Sequence, residues 1–310
     1  HALAGLRYTG SAVMPLSGAP PLVDVCVCTF RRESLTATLT SLDAQTGVSG
    51  RIRVLVADND DQPSARGRVE DGSARWPRVY LHAPARNISV ARNALLEAST
   101  ATFVAWIDDD EIADPRWLAG LLNAIGDSDA VFGPVLALYP PETPAWIRQA
   151  DLHSTQAVVT AAGVVTGYTS NALVRRSAVG LERFSEALGV SGGEDTEFFS
   201  RLHRLGRRFS TAPAAIVQEP TAPDRLSLKW LARRAYRAGQ THARAYLMSK
   251  RRLAGLVAAS AKAAFCMAMC AVFVWNGVRW RKFWVRGALH RGVIASLIGA
   301  RDLQLYATGR

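Results

Sequence analysis

Cysteine is scarce: four residues in 310, as Cys26 with Cys28 and Cys266 with Cys270. Neither spacing leaves the two-residue gap of a zinc knuckle or a redox motif, so all four read as reduced apolar fillers. Also missing is a positively charged start followed by an uninterrupted apolar run and a cleavage site, which sets the expected location as the cytoplasm. The six histidines form no metal-ligand pattern; His203 and His242 read as satisfied or solvated imidazoles. There is no internal repeat, no low-complexity tract and no recognisable nucleic-acid-binding module. With 49% hydrophobic and only 20% charged residues, wholesale disorder is excluded. Residues 1–20 are expected to be a tag or a disordered segment, with Met14 a candidate native start.

What the chain does have is positive charge. The net +11 points toward phosphates, in nucleotides, nucleic acids or anionic lipids, without choosing among them. Much of the excess lies late, from Arg233 to Arg286, whereas the acidic clusters lie earlier.

Apolar runs rich in β-branched residues predict strands over 22–28, 51–57, 79–82 and 103–107. Helical spacing predicts helices over 34–45 and 89–99, and Asp114-Pro115 caps another running through Leu122. Alternation of this kind builds an α/β sheet whose ligands gather at the carboxyl ends of its strands, and Thr29, Asp58 and Asp108 to Asp110 all fall there. Further strands are expected at 131–138, 158–165 and 214–217. A helix should open at Gly192-Gly193-Glu194-Asp195 and stop at Gly206, with mainly helices from Leu226 onward.

Asp108-Asp109-Asp110-Glu111 carries the most specific chemistry. Adjacent carboxylates repel, and a hard divalent cation sharing its shell with substrate phosphates balances them. The plain alternative is a solvated acidic loop. Glu194 and Asp195 at a helix start suit a general base, or simply complement the helix dipole.

Together these pieces resemble family 2 glycosyltransferases of the GT-A fold. Ile107-Asp108-Asp109-Asp110-Glu111 is similar to the DXD signature of that family. Val27-Cys28-Thr29-Phe30-Arg31-Arg32 resembles its opening strand and turn, and Val56-Ala57-Asp58-Asn59 its second strand end. Arg86 to Asn93 resembles its Asn-x-Gly-x-x-x-Ala-Arg-Asn segment, with Ser89 where glycine is usual, and Gly193 to Phe198 its acceptor-site motif. The likeness covers about Val23 to Pro223.

The resemblance implies a Rossmann-like mixed sheet flanked by helices over 21–225, followed by a basic helical extension over 226–310. It implies that Thr29 and Phe30 face the nucleobase, that Asp58 accepts a hydrogen bond from it, and that Arg92 supports the nucleotide. Asp108 would approach the ribose or sugar, with Arg32 and Asp109 completing the donor contacts. Asp110, with Asp108, would hold Mg²⁺ or Mn²⁺. Asp195, beside Glu194, would deprotonate the acceptor hydroxyl in an inverting transfer. The partners implied are a UDP-sugar and a glycan or lipid-linked acceptor.

Asn171 is weighed as a sugar contact or a structural turn residue, Glu219 as a metal ligand or a plain loop acid, and Trp117 and Trp146 as sugar-stacking rings or packing. The apolar stretch 253–275 with the following Trp and Arg residues suits attachment to the inner face of a membrane more than a purely soluble helical appendage, and a full span least of all. Alternatives are a polyprenyl-phosphate sugar transferase, a catalytically silent scaffold, and a basic nucleic-acid-binding protein; the aspartate cluster would repel a phosphate backbone in the last case.

Overall fold

The computed structural model describes residues 22–161, 163–246 and 252–303. The expectation for residues 1–20 lies outside the described residues.

The strands are β1 (Val23–Thr29), β2 (Ile52–Asp58), β3 (Arg78–His82), β4 (Phe103–Ile107), β5 (Ile112–Ala113), β6 (Ala130–Phe132), β7 (Val135–Leu138), β8 (Val158–Thr160), β9 (Gly163–Thr166), β10 (Asn171–Arg175), β11 (Phe209–Thr211) and β12 (Val217–Pro220). The helices are α1 (Leu35–Asp43), α2 (Arg66–Val69), α3 (Ile88–Ala98), α4 (Trp117–Ala124), α5 (Ala145–Ala150), α6 (Arg176–Val179), α7 (Glu194–Arg204), α8 (Leu228–Tyr246), α9 (Arg252–Val272) and α10 (Arg279–Leu297). Two compact units divide them: one runs up to Val135 and adds Gln156–Gly189 and Phe198–Glu219, and the other takes Leu136–Thr155, Val190–Glu197 and the chain from Pro220.

The first unit is built on a seven-stranded sheet in the order β11-β6-β10-β4-β1-β2-β3. β4, β1, β2 and β3 are parallel, and β10 runs antiparallel between β4 and β6, which makes the sheet mixed. Strand alternation sends Val23, Val25 and Val27 to one face, against Leu35, Leu39 and Leu42 of α1 and Trp117 and Leu121 of α4. Cys26, Leu55 and Trp106 take the other face with Leu95 and Leu96 of α3 and Phe184, Phe198 and Phe199. Each fully buried leucine contributes about 1.5–3 kcal/mol relative to exposure.

One charged pair interrupts this core. Asp24 sits opposite Arg53 in the β1–β2 register and is fully buried. It accepts from Arg53 Nε and Nη2 at 2.8 and 2.9 Å, and from Ser99 Oγ and the Thr100 and Ala101 amides. Asp24→Ala strands a buried guanidinium and three further donors, so it should lower the unfolding free energy by about 3–5 kcal/mol. Urea denaturation reads this as a shifted midpoint, and an unmoved midpoint would deny the pair its structural role.

The strand expected over 131–138 breaks in two at Gly133-Pro134. A side chain on Gly133 would run into the Ala215 carbonyl oxygen and the Asn171 amide, so the chain bends there to let them in. The strand expected at 214–217 instead forms at Val217–Pro220, pairing antiparallel with β5.

In the second unit, α10 packs against both α8 and α9. Gly239 of α8 and Gly292 of α10 allow the two backbones to touch: a Cβ on either would collide with a carbonyl oxygen of the other helix, Leu289 or Tyr236. Ala243, Ala259, Val293 and Leu297 form the small core shared by α8, α9 and α10.

Candidate active site

The β1–β2 register aligns Thr29 with Asp58, and β4, neighbour to β1, leads straight into the acidic run. The polar strand ends are therefore adjacent, as the alternation of strands and helices required.

Along the acidic run the side chains alternate. Asp109 is buried and accepts the Thr29 hydroxyl at 2.7 Å. Burial first, and the charge of Asp110 second, push its carboxyl up to about 6, with the Thr29 hydrogen bond opposing. Glu111 is buried too and accepts the Asp108 amide at 2.8 Å. Burial raises its carboxyl well above the ordinary range, and the Asp108 charge adds to the effect. Glu219 on β12 is a further, smaller contributor, so it belongs to the same acidic neighbourhood.

Asp108 and Asp110 face the other way, with side chains 40% and 25% exposed. Each is matched by a guanidinium at 3.7 Å: Arg92 Nη2 for Asp108 and Arg32 Nη1 for Asp110. Arg92 projects from α3, is itself buried, and lies over the Phe184 ring at 5.5 Å. Ser89, the departure from the usual glycine, fits without distortion: its hydroxyl donates to the Ser185 carbonyl at 2.8 Å, while its amide caps the helix onto the Asn87 side chain. Phe30 is half-buried, with the Arg31 guanidinium 5.3 Å from its ring centre.

Asp58 is fully buried, and its oxygens accept the Asp60 and Ala65 amides and the Tyr80 hydroxyl. In this structure it organises the loop after β2. Burial and this hydrogen bond push the Tyr80 phenol above its ordinary range. Sequence reasoning missed Asp60, which Arg31 grips with Nε at 2.9 Å and Nη2 at 2.8 Å from a left-handed backbone, φ 54°. The Arg31 hydrogen bond is the leading cause that holds the Asp60 carboxyl down at about 2. The Arg31-Arg32 doublet and the Asp58-Asn59-Asp60-Asp61 run were the available signal.

Asn171 is not left free for a sugar. Its Oδ1 accepts from Trp117 Nε1, and its Nδ2 donates to the Pro134 and Ala215 carbonyls. Trp117 is accordingly a core residue.

In the second unit, Glu194 and Asp195 open α7. Glu194 is buried, and Asp195 is half-exposed with Oδ1 accepting the Thr196 amide at 2.6 Å. Gly192 and Gly193 precede them with φ of 86° and 88°, the left-handed region that only glycine enters freely. The buried Arg237 of α8 fastens this turn, donating to the Ser191 carbonyl through Nε at 2.9 Å and Nη2 at 2.6 Å, and to the Gly192 carbonyl at 2.6 Å. A Cβ on Gly193 would stand 2.5 Å from Thr241 Cγ2, so α8 also seals the turn from behind. Trp146 lies under the Arg281 guanidinium at 5.0 Å.

Residues 24–180 match the family model described as Glycosyl transferase family 2. The chain is also 43% identical over 295 residues to the succinoglycan biosynthesis protein ExoM of Rhizobium meliloti (strain 1021), covering 92% of this chain and 95% of ExoM. The chain belongs to glycosyl transferase family 2. It is therefore a glycosyltransferase, and its fold is GT-A. A mannosyltransferase from Pyrobaculum calidifontis, solved in complex with GDP-Man and Mn²⁺, superposes with a TM-score of 0.55 at 20% identity, covering 88% of this chain and 87% of that one. TarS of S. aureus, residues 1–349 in complex with UDP, gives 0.51 at 14% identity over 89% and 91%. The family match contains Thr29, Asp58, Arg92 and the acidic run and ends before Asp195. Among the described residues, no three His, Cys, Asp or Glu side chains group as a ready-made metal site.

Proposed function

We propose that this family 2 glycosyltransferase moves a hexose, with inversion, from a UDP-sugar to a hydroxyl of a glycan or lipid-linked acceptor during surface-polysaccharide assembly. The observation that carries the reading is the outward pair Asp108 and Asp110, each faced by an arginine at the end of β4. Two hard carboxylates with guanidinium groups alongside suit a nucleoside diphosphate and its cation better than either alone. They fit Mg²⁺ or Mn²⁺: Asp110, with Asp108, would hold the ion, which when bound compensates the charge of the diphosphate. Arg92 and Arg32 supply fixed positive charge beside it, and Phe30 offers a ring face for the base. Thr29 and Asp109 support the pair from within through their mutual hydrogen bond, and Asp58 supports the nucleotide end by fixing the loop after β2.

In the proposed transfer Asp195 takes the acceptor proton as the acceptor oxygen bonds to the anomeric carbon. The bond from that carbon to the diphosphate breaks, and its electron pair leaves on the phosphate oxygen. Glu194 lies buried beside the proposed base. The catalytic domain is assigned to 21–225 and the basic extension to 226–310, with the enzyme at the cytoplasmic face of the membrane. ExoM bears on the acceptor class through its name, and the two solved relatives bear on the donor class through GDP-Man, Mn²⁺ and UDP.

A panel of UDP- and GDP-sugars, each with Mg²⁺ or Mn²⁺, tests the reading without knowledge of the acceptor. One UDP-sugar should be hydrolysed slowly, and faster with metal. No nucleotide binding under any condition, together with DNA binding that weakens steeply with salt, would replace the proposal by the nucleic-acid reading.

A further inference from the structure

From Arg225 to Arg301 the chain carries 16 arginines and lysines and not one aspartate or glutamate. All of the net positive charge of the protein resides there. Within this stretch, α9 is long and apolar enough to cross a membrane, yet only 17% of its most apolar window is buried. At 100° per residue, Leu253, Val257, Ala261, Ala264, Ala268 and Val272 follow one outward stripe, with Phe265 at its edge. Leu253 is 75% exposed, Val257 63% and Phe265 57%, and Trp275 just beyond the helix 76%. Ser260 and Lys262 stand on the flanks of the stripe, which contains no polar residue over five turns. Soluble monomers rarely leave so continuous an apolar face in water.

The inward face shows how α9 is held. Ala259 packs with Val293 and Leu297, Cys266 with Gly287, and Phe273 stacks on Phe283 at 5.8 Å; Arg252 Nε donates to the Leu297 carbonyl at 2.7 Å. α10 therefore runs antiparallel beside α9 for its whole length. It carries Arg279, Arg281, Lys282, Arg286 and Arg291. Were α9 to cross a bilayer, this partner would take those charges into the hydrocarbon, where each is costly unless paired. A second copy is an equally poor cover, since it would bring together two stretches of the same strong positive charge. An anionic leaflet satisfies both features at once: acyl chains for the stripe and phosphates for the cations.

We propose that α9 lies in the plane of an anionic membrane leaflet, its outward stripe in the boundary between headgroups and acyl chains and the α10 cations at the phosphates. This deepens the lipid-linked acceptor reading, but it is tested on lipid alone, so either can fail while the other stands.

Flotation of the full chain with vesicles of phosphatidylcholine, with or without roughly one third phosphatidylglycerol, provides the test. The protein should float with the anionic vesicles and hardly with the neutral ones, and 1 M salt should lower its recovery. Val257→Glu with Phe265→Glu should cut recovery about tenfold or more, with unchanged circular dichroism. If that variant fails to fold, Arg279→Glu with Lys282→Glu, which alters exposed positions only, should cut recovery several-fold. Lys262 should stay open to an impermeant amine reagent added outside the vesicles. No flotation, or equal flotation on neutral vesicles, overturns the proposal. Protection of Lys262 overturns it in favour of a span, and lipid-free self-association abolished by Val257→Glu with Phe265→Glu overturns it in favour of a second copy.

Discussion

Asp195→Asn should cut sugar transfer by about two to four orders of magnitude and leave donor binding unchanged. Asparagine keeps the size and shape of the side chain, and its amide oxygen can still accept the Thr196 amide that Asp195 Oδ1 accepts at 2.6 Å. The helix start therefore survives, held also by Arg237 on the Ser191 and Gly192 carbonyls. What is lost is the capacity to take a proton, and a positioned base contributes about 10²–10⁴-fold to such a step. Steady-state transfer should fall by that factor, while calorimetric affinity for UDP with metal stays within about twofold, a change too small to signal a lost contact. A variant that transfers at close to the parent rate would remove Asp195 from the chemistry. A matching loss of UDP affinity would make it a donor residue instead.

Asp110→Ala should erase the effect of metal on UDP binding. In the parent protein Asp110 is a partly exposed carboxylate with Arg32 Nη1 at 3.7 Å, and without a cation it repels a diphosphate. The parent should thus bind UDP weakly in chelator and far more tightly with Mg²⁺ or Mn²⁺. Removing the carboxylate removes both the repulsion and a ligand: affinity in chelator should hold or rise slightly, and affinity with metal should drop by about 10–100-fold or more. That crossed pattern separates a metal ligand from a residue that merely shapes the site, which would weaken both. Persistence of metal-stimulated binding in the variant would move the cation elsewhere, with Asp108 and Glu219 next to test.

The parts of the fold that were legible in the sequence were those whose signal is local. β4 is a continuous apolar run, and β1 and β2 are apolar runs crossed only by the Asp24–Arg53 pair near their starts, because both faces of the central sheet are buried; the acidic and hydroxyl residues at their carboxyl ends mark where they stop. α1 and α3 announce themselves by spacing. Illegible were elements fixed by distant partners. The break at Gly133-Pro134 follows from Ala215 and Asn171 entering the space of a side chain, and β11 is an edge strand of three residues aligned by β6. α5 is a short helix that opens directly after Pro144, in a stretch whose clustered prolines at 140, 141 and 144 are by themselves a mark of irregular chain.

The same division runs through the site. The acidic run and its place at a strand end could be read directly, but not which carboxylates face outward. Asp109 turns inward because Thr29, eighty positions earlier, donates to it. Asp60, rather than Asp58, receives an arginine, because Arg31 adopts a left-handed backbone that no local pattern foretells.

The Arg237 clamp has a mechanical corollary. Through Gly239 and Gly292, α8 rests backbone to backbone on α10, so the carboxylate at the start of α7 and the α9–α10 pair, proposed to meet lipid, are tied together by stiff elements rather than by a loop. With α9 bedded in lipid, the height of that carboxylate above the headgroups becomes a fixed length. Lipid-linked glycans one sugar too short or too long would offer their terminal hydroxyl at the wrong altitude, and the enzyme would grade its acceptors as a gauge does, by how far they stand from the membrane.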